Sequence, residues 1–168
     1  MLNNENYMNF FSKRTDKLNK IQIDEICKLK NSHWEYGFKS QRKFFRNNVS
    51  QADIHNLVIN HKKIIGYTLL KKSKIKFSKR QKNYFHFDTL IIDKKFRKKK
   101  ISIKLMELNN KIIRKKNTFS ILLCEKSMIN FYEKFEWKKI KKKFIQGEKS
   151  KKTYMVYNKK INQKFFFL

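Results

Sequence analysis

The residues with the clearest chemical signature are four consecutive cations, Arg97–Lys100. They follow Thr89–Ile92, an apolar run of the length expected for a buried strand. Apolar residues then recur at helical spacing over residues 101–112, which predicts an amphipathic helix. A loop between a strand and a helix N-terminus offers free backbone N–H groups and the positive end of the helix dipole to an anion. We therefore expect this segment to bind a ligand that carries phosphate groups.

The segment resembles the acyl-CoA-binding motif of the GNAT superfamily of N-acetyltransferases. In that motif a strand ends in an aliphatic residue, and Arg/Gln-x-x-Gly-x-Gly/Ala then opens a helix. Ile92 takes the aliphatic place, and Arg97-x-x-Lys100-x-Ser102 takes the loop. The resemblance implies that acetyl-CoA is the co-substrate and that it contacts the strand end and the loop, through Leu90, Ile91, Ile92, Arg97, Lys98, Lys99, Lys100, Ile101, Ser102 and Ile103.

A second block, Phe131–Trp137, resembles the family's (F/L)YEKxGF segment. The two blocks stand in the family's order, and the resemblance covers about residues 21–157. In the family a tyrosine at this place protonates the departing CoA thiolate, so the resemblance implies this role for Tyr132. A phenol with an ordinary pKa near 10 stays protonated at pH 7 and can donate to a thiolate. A core aromatic at helical spacing is the structural alternative.

The sequence departs from the family at three glycine positions, which are Lys100, Ser102 and Glu136 here. Glycine at such places lets phosphate approach the backbone and tolerates positive φ. A lysine can adopt the right-handed helical region, so we expect the turn at Lys100 to be kept in that conformation.

The remaining candidate residues concern the acceptor. An amine nucleophile arrives as an ammonium ion and must lose a proton, and an imidazole or a carboxylate can accept it directly or through water. In the resemblance the strand that carries His86 and Asp88 faces the acceptor, so these two are candidate bases. His33, Trp34 and Glu35 follow the first predicted helix and are candidates for the acceptor pocket. Ordinary packing is the alternative for each of them.

The composition gives a formal net charge of +30 and a pI of about 10.2, which permits a nucleic-acid-binding function. The chain is also rich in Lys, Asn, Ile, Phe and Tyr, with 0 Pro and 3 Gly. A bias towards A and T in the codons gives the same profile and accounts for the lost glycines. Because the arginines are scattered and RNA-binding motifs are absent, we expect no specific nucleic-acid partner.

The order of predicted elements is ααββ-βα-βα-ββ, which indicates an α/β fold with a GNAT-like mixed central sheet and helices on both faces. We expect one domain over residues 21–160, a loose arm over 1–20 and a short tail over 161–168. Residues 54–70 are predicted to form a β-hairpin, and the charged residues 71–82 its outer end and the loop that follows. No apolar run is long enough to span a membrane, and the first 20 residues lack the apolar core of a signal peptide. Cys27 and Cys124 lack metal-ligand spacing, so we expect buried thiols, no metal, and a cytoplasmic protein.

These observations predict an N-acetyltransferase that moves an acetyl group from acetyl-CoA to a primary amine by direct attack in a ternary complex. Cys124 has no evident base, so an acyl-cysteine route is not expected. A small-molecule acceptor is favoured, because one compact domain leaves little room for a peptide groove. A basic nucleic-acid-binding protein and a GNAT-fold protein that binds CoA without turnover remain alternatives. The acceptor, the size of the acyl group and the oligomeric state stay open.

Overall fold

A computed structural model describes residues 8–78, 80–147 and 150–168. The helices and strands follow the predicted order ααββ-βα-βα-ββ, with one further strand before the first helix and one after the last predicted strand. In chain order they are β1 (Asn9–Arg14), α1 (Lys20–Asn31), α2 (Phe38–Asn48), β2 (Ile54–Asn60), β3 (Lys63–Phe77), β4 (Arg80–Ile92), α3 (Ile101–Lys115), β5 (Ser120–Cys124), α4 (Ile129–Glu133), β6 (Lys138–Lys139), β7 (Thr153–Tyr157) and β8 (Phe166–Phe167).

The strands form one mixed sheet in the order β1-β2-β3-β4-β5-β7-β6, and β8 pairs with β3. β4 and β5 are parallel, whereas β1–β2, β5–β7 and β6–β7 are antiparallel. This arrangement confirms the predicted α/β class with a mixed central sheet. Among the described residues, no helix is both long enough and apolar enough to cross a membrane.

The chain divides into two compact units that alternate along the sequence. Unit 1 comprises Met1–Leu69 and Thr89–Leu105, and unit 2 comprises Leu70–Asp88 and Met106–Leu168. The cation-rich loop lies in unit 1, whereas Tyr132, His86 and Asp88 lie in unit 2.

Unit 1 has apolar contacts on both faces of its strands, because successive strand residues point to opposite sides. Ile64 of β3 belongs to a cluster with Ile26 of α1 and Phe45 of α2. The next residue, Ile65, belongs to a cluster with Ile101 and Leu105 at the start of α3. Unit 1 therefore carries α1 and α2 on one face and the first turns of α3 on the other.

Unit 2 is held together by a largely aromatic core. Ile75 and Phe77 of β3 cluster with Tyr84 of β4 and Phe119 before β5. Phe165 belongs to the same cluster and is fully buried. The last residues of the chain thus complete this core.

The predicted loose arm over residues 1–20 is wrong for residues 9–14, which form β1 and pair with the whole of Ile54–Ile59 in β2. The predicted tail over 161–168 is also structured, because Phe166 and Phe167 pair with Lys76 and Ile75. Residues 1–7 lie outside the described residues. The single-domain boundary at 21–160 stays a prediction.

Of the hairpin end and loop predicted over 71–82, the loop is shorter than expected, because β3 continues to Phe77 and β4 begins at Arg80. The abundance of lysine in this part of β3 makes an alternating pattern hard to recognise: Ile75 and Phe77 are buried, while Lys72 and Lys74 are exposed. Alternation of this kind is typical of a half-buried strand.

Candidate functional site

The strand β4 is paired with β5 along only part of its length. The parallel pairing joins Phe85–Phe87 to Ser120–Leu122, and the Phe85 N–H donates to the Phe119 carbonyl at 3.0 Å. β4 continues to Ile92, and among the described residues no β5 residue is paired with its last part. The Asp93 N–H, directly after the strand, donates to the Ile65 carbonyl of β3 at 2.8 Å, and the Ile92 carbonyl accepts from Arg97 Nε at 3.4 Å.

The loop after β4 is fixed at its start by Asp93. One carboxylate oxygen accepts the Lys95 backbone N–H at 3.0 Å, and the other accepts Lys63 Nζ at 2.8 Å. Burial alone would raise the pKa of Asp93, but these bonds outweigh it and lower the pKa below its ordinary value. Asp93 therefore stays ionised and holds a single 3₁₀ turn, Lys94–Phe96.

Arg97 lies at the centre of the loop. Its Nε donates to the Ile92 carbonyl at 3.4 Å, and one terminal nitrogen lies 3.4 Å from His33 Nδ1. The structure thus brings together Arg97, a predicted cofactor residue, and His33, a predicted acceptor residue.

Lys100 does not adopt the right-handed backbone expected from the sequence. Its φ is +56°, and that of Lys98 is +66°. Glu136, at the glycine position of the second block, has a φ of +66°. A side chain in this region costs roughly 1–2 kcal/mol. Lys100 and Glu136 therefore both have the backbone conformation that glycine favours, although neither is a glycine.

The helix α3 begins immediately after the loop and is anchored by Ile101, which is 2% exposed. Ile101 packs where Gly66 of β3 has no side chain: a Cβ on Gly66 would lie 3.1 Å from Ile101 Cγ2 and 3.2 Å from Ile92 Cδ1. Gly66 therefore permits the close approach of the helix start to the strand end. It was missed in the sequence analysis, although a lone glycine inside a strand is the usual signal of such an approach.

The loop is strongly positive. Among ion pairs between described residues, none involves Arg97–Lys100. Ser102 and Ile103 lie in the first turn of α3, where backbone N–H groups have no partner within the helix. The loop and helix start thus combine cations that form no ion pair among the described residues with backbone donors, as a phosphate site requires.

Trp34 and Glu35 lie beyond the end of α1 in unit 1. Trp34 makes an edge contact with the His33 ring at 4.7 Å, and its carbonyl accepts Gln41 Nε2 at 3.0 Å. Glu35 is exposed. Of the three predicted acceptor residues, only His33 contacts the cation-rich loop in a described hydrogen bond.

In unit 2, His86 and Asp88 lie on the same side of β4, as their spacing predicts. His86 Nε2 is 3.7 Å from Asp88 Oδ1. Burial lowers the pKa of His86 below its ordinary value, with Asp88 opposing and Lys71 adding to the shift. The imidazole is therefore neutral near pH 7 and able to accept a proton.

Tyr132, in α4 of unit 2, is 7% exposed and packs among aromatic rings. Its ring centroid lies 6.2 Å from that of Phe87 and 5.2 Å from that of Phe131. Burial, reinforced by Cys124, raises the pKa of the hydroxyl well above its ordinary range. Within the described residues no hydrogen bond of this hydroxyl is formed, so a protonated donor is held in place without a partner among them.

The same unit contains Cys124, whose Sγ lies 3.7 Å from Met155 Sδ. Burial raises its pKa, so it is a protonated thiol at neutral pH. Across residues 8–78, 80–147 and 150–168, no group of three or more His, Cys, Asp or Glu side chains could hold a metal ion.

Comparison with known proteins identifies the class. The model of the GNAT acetyltransferase domain matches residues 22–157, which is most of the chain. The chain therefore belongs to the GNAT acetyltransferase family, and the predicted class of enzyme, an N-acyltransferase, is confirmed. No significant match was found among curated proteins.

Three solved structures illustrate the shared fold. YhbS, a GNAT family N-acetyltransferase from Escherichia coli in complex with CoA, is 10% identical, with 96% of this chain and 91% of that chain covered and a TM-score of 0.69. PH1933 from Pyrococcus horikoshii is 22% identical, with 91% and 100% covered and a TM-score of 0.66. An aminoglycoside 6'-N-acetyltransferase complexed with coenzyme A is 14% identical, with 88% and 96% covered and a TM-score of 0.63. Two of these three structures are complexes with CoA.

Proposed function

We propose that this protein transfers an acetyl group from acetyl-CoA to the primary amine of a small molecule by direct attack in a ternary complex. The observation that carries this proposal is the cation-rich loop of unit 1. It has positive φ at Lys98 and Lys100 and carries Arg97 four residues before the start of α3. This is the combination of backbone conformation and charge that binds a pyrophosphate.

Acetyl-CoA would place its pyrophosphate on the loop, through the N–H groups of residues 101–103 and the side chains of Arg97–Lys100. Its pantetheine amides would pair with the strand end at Leu90, Ile91 and Ile92. The end of β4 supports this, because among the described residues it has no pairing with β5 beyond Phe87 and its Ile92 carbonyl accepts from a side chain of the loop, Arg97 Nε. The two amides would thus continue the sheet as an extra strand does.

The chemistry follows from three side chains of unit 2. The amine loses its proton to His86 or Asp88, directly or through water, and its nitrogen attacks the thioester carbonyl carbon. The carbon–sulfur bond then breaks, Tyr132 donates its proton to the departing thiolate, and the extra proton left on the attacking nitrogen passes to the Tyr132 oxygen as the amide forms. His86 suits the first step because it is neutral, and Tyr132 suits the last because its raised pKa keeps it protonated.

A covalent acyl-cysteine intermediate is disfavoured. The pKa of Cys124 is raised by burial and then by Glu125, which together outweigh the opposing effect of Lys152, and the thiol contacts the thioether of Met155. A thiol needs a neighbouring base or cation to become a nucleophile, as thiolate is the reactive form. Direct attack by the amine requires no such group.

Binding of CoA to an Arg97→Ala variant tests the cofactor assignment. We expect the Kd to rise about 10- to 100-fold, because a charge-assisted hydrogen bond to phosphate is lost. Isothermal titration calorimetry with CoA measures it, and Arg80→Ala, which removes an exposed arginine at the start of β4, is the matched control. If the wild type shows no binding at millimolar CoA, or if both variants bind as tightly as the wild type, the assignment is wrong.

A further inference from the structure

The contact between His33 and Arg97 joins two segments of unit 1 that are 64 residues apart in sequence. His33 follows α1, and Arg97 stands in the loop before α3. The Arg97 guanidinium is held on one side by the Ile92 carbonyl and on the other by His33 Nδ1, each at 3.4 Å. Since a guanidinium has only N–H donors, Nδ1 must be the acceptor and the ring must be neutral there.

The charges around His33 are mainly positive. From the loop before α3, Arg97 and Lys94 face it, and Lys30 lies one turn earlier in α1. Glu35, two residues later, is the nearest acidic residue along the chain. Partial burial first, and then Arg97 and Lys94, lower the pKa of His33 below its ordinary value of 6.5. While no anion is bound to the loop, His33 is therefore neutral, and its Nδ1 accepts from Arg97 and cannot donate a hydrogen bond to an anion.

We propose that His33 is a positioning residue for the CoA pyrophosphate: when the pyrophosphate binds Arg97, His33 takes up a proton and becomes a further ligand of the same phosphates. This assigns His33 to the cofactor, not to the acceptor, and it rests on the proposed function. The physical reason is that a bound anion neutralises Arg97 and supplies acceptor oxygens. Both changes favour the imidazolium form, which has two N–H donors.

The pyrophosphate would therefore bind with coupled proton uptake. The expected sign follows from the two states of His33. Its pKa is below 6.5 in the free protein and rises on binding, so protons are taken up between the two values. Affinity for CoA therefore strengthens as pH falls through this window, by linkage. We expect a gain of about fivefold between pH 8 and pH 6, the factor that an exposed ion pair can supply.

The test is calorimetric titration of CoA into the full chain, in buffers of different ionisation enthalpy, with the wild type, His33→Asn and His61→Asn. The dependence of the observed heat on the buffer gives the number of protons taken up. The phosphates of CoA also titrate, but they contribute equally to all three proteins, so the difference between variants isolates the histidine. His61 is the matched control, because it is an exposed histidine in the β2–β3 turn.

We expect the wild type and His61→Asn to take up more protons at pH 6–7 than His33→Asn, and only His33→Asn to lose the fivefold gain. If CoA binds and all three proteins take up the same number of protons, the inference about His33 is overturned while the proposed function stands. If the wild type binds no CoA, the proposed function itself fails. A rise in the KM for the amine in His33→Asn, with an unchanged Kd for CoA, would return His33 to the acceptor site and overturn the inference.

Discussion

Replacing Tyr132 with phenylalanine is expected to lower kcat about 10²- to 10⁴-fold, the contribution of a positioned general acid. The affinity for CoA should stay within about twofold of the wild type, because the change removes only a hydroxyl. The fold should also be kept, since the ring packs against Phe87, Phe131 and Trp137 and none of these contacts needs the oxygen. Steady-state release of the CoA thiol with a responsive amine measures the effect.

Tyr84→Phe is the matched control, because Tyr84 is another buried tyrosine of unit 2 that packs among aromatic rings. Loss of its hydroxyl can change stability but should leave kcat unchanged. If Tyr132→Phe turns over within about twofold of the wild type, the hydroxyl is not the acid and the residue only packs.

The second large effect concerns the stability of unit 1 at acidic pH. His55 of β2 is fully buried, with Nε2 at 2.8 Å from Thr15 Oγ1 and Nδ1 at 2.9 Å from the Tyr67 hydroxyl. Its ring also stacks between Phe45 and Tyr67. Burial lowers the pKa of His55 from 6.5 to about 4, with Asp53 opposing the shift and Lys30 adding to it.

The sign follows from linkage. Above pH 6.5 the ring is neutral in both states, and its full contribution to stability is present. As pH falls from 6.5 towards 4, the unfolded chain binds a proton that the folded chain refuses, so stability is lost. The loss between pH 7 and pH 5 is about 2 kcal/mol from this residue.

Urea unfolding at pH 7 and pH 5 measures this loss. For each protein the decrease in the free energy of unfolding from pH 7 to pH 5 is determined. This decrease should be about 2 kcal/mol smaller for His55→Gln than for the wild type. The variant will be less stable at both values, because Thr15 and Tyr67 lose their partner, so the pH difference is the quantity compared. His61→Asn should lose stability as the wild type does. Parallel losses in the wild type and His55→Gln would show that His55 is not responsible.

The strand, loop and helix around Arg97 could be predicted because the pattern of apolar residues changes there from that of a strand to that of a helix. Residues 89–92 form a short apolar run, and residues 101–112 follow a helical period, so the boundary between the periods marks the loop. The family could be recognised for the same reason, because both of the segments that resemble it lie where one hydrophobic pattern ends and the next begins. The match over residues 22–157 confirms that resemblance.

The backbone conformation of Lys100 could not be predicted in the same way. Positive φ is normally signalled by glycine, and this chain has lysine there. The conformation is imposed by its surroundings, because Ile101 is buried against β3 and Arg97 is held on the Ile92 carbonyl. Local propensity gives no hint of such constraints.

The strands β1 and β8 were missed because pairing supplies most of their stability. Phe10 and Phe11 are consecutive and show no clear alternation, and their partners in β2 lie almost 50 residues later. Phe166 and Phe167 likewise pair with β3, about 90 residues earlier. The contact of His33 with Arg97 also joins residues that are far apart in sequence. For that reason His33 was predicted to line the acceptor pocket, whereas Arg97 was predicted to bind the cofactor.

The measurement that tests the central claim most directly is acetyl transfer from acetyl-CoA to a panel of amines that includes amino sugars, aminoglycosides, polyamines and amino acids. Thiol release and the mass of the amine product are followed together, at a concentration of acetyl-CoA that calorimetry shows to be saturating. We expect at least one primary amine to gain one acetyl group for each thiol released, and no acetylated form of the protein to accumulate. Saturating acetyl-CoA with no amine-dependent thiol release across the panel would contradict this expectation and would identify a GNAT-fold protein that binds CoA without turnover.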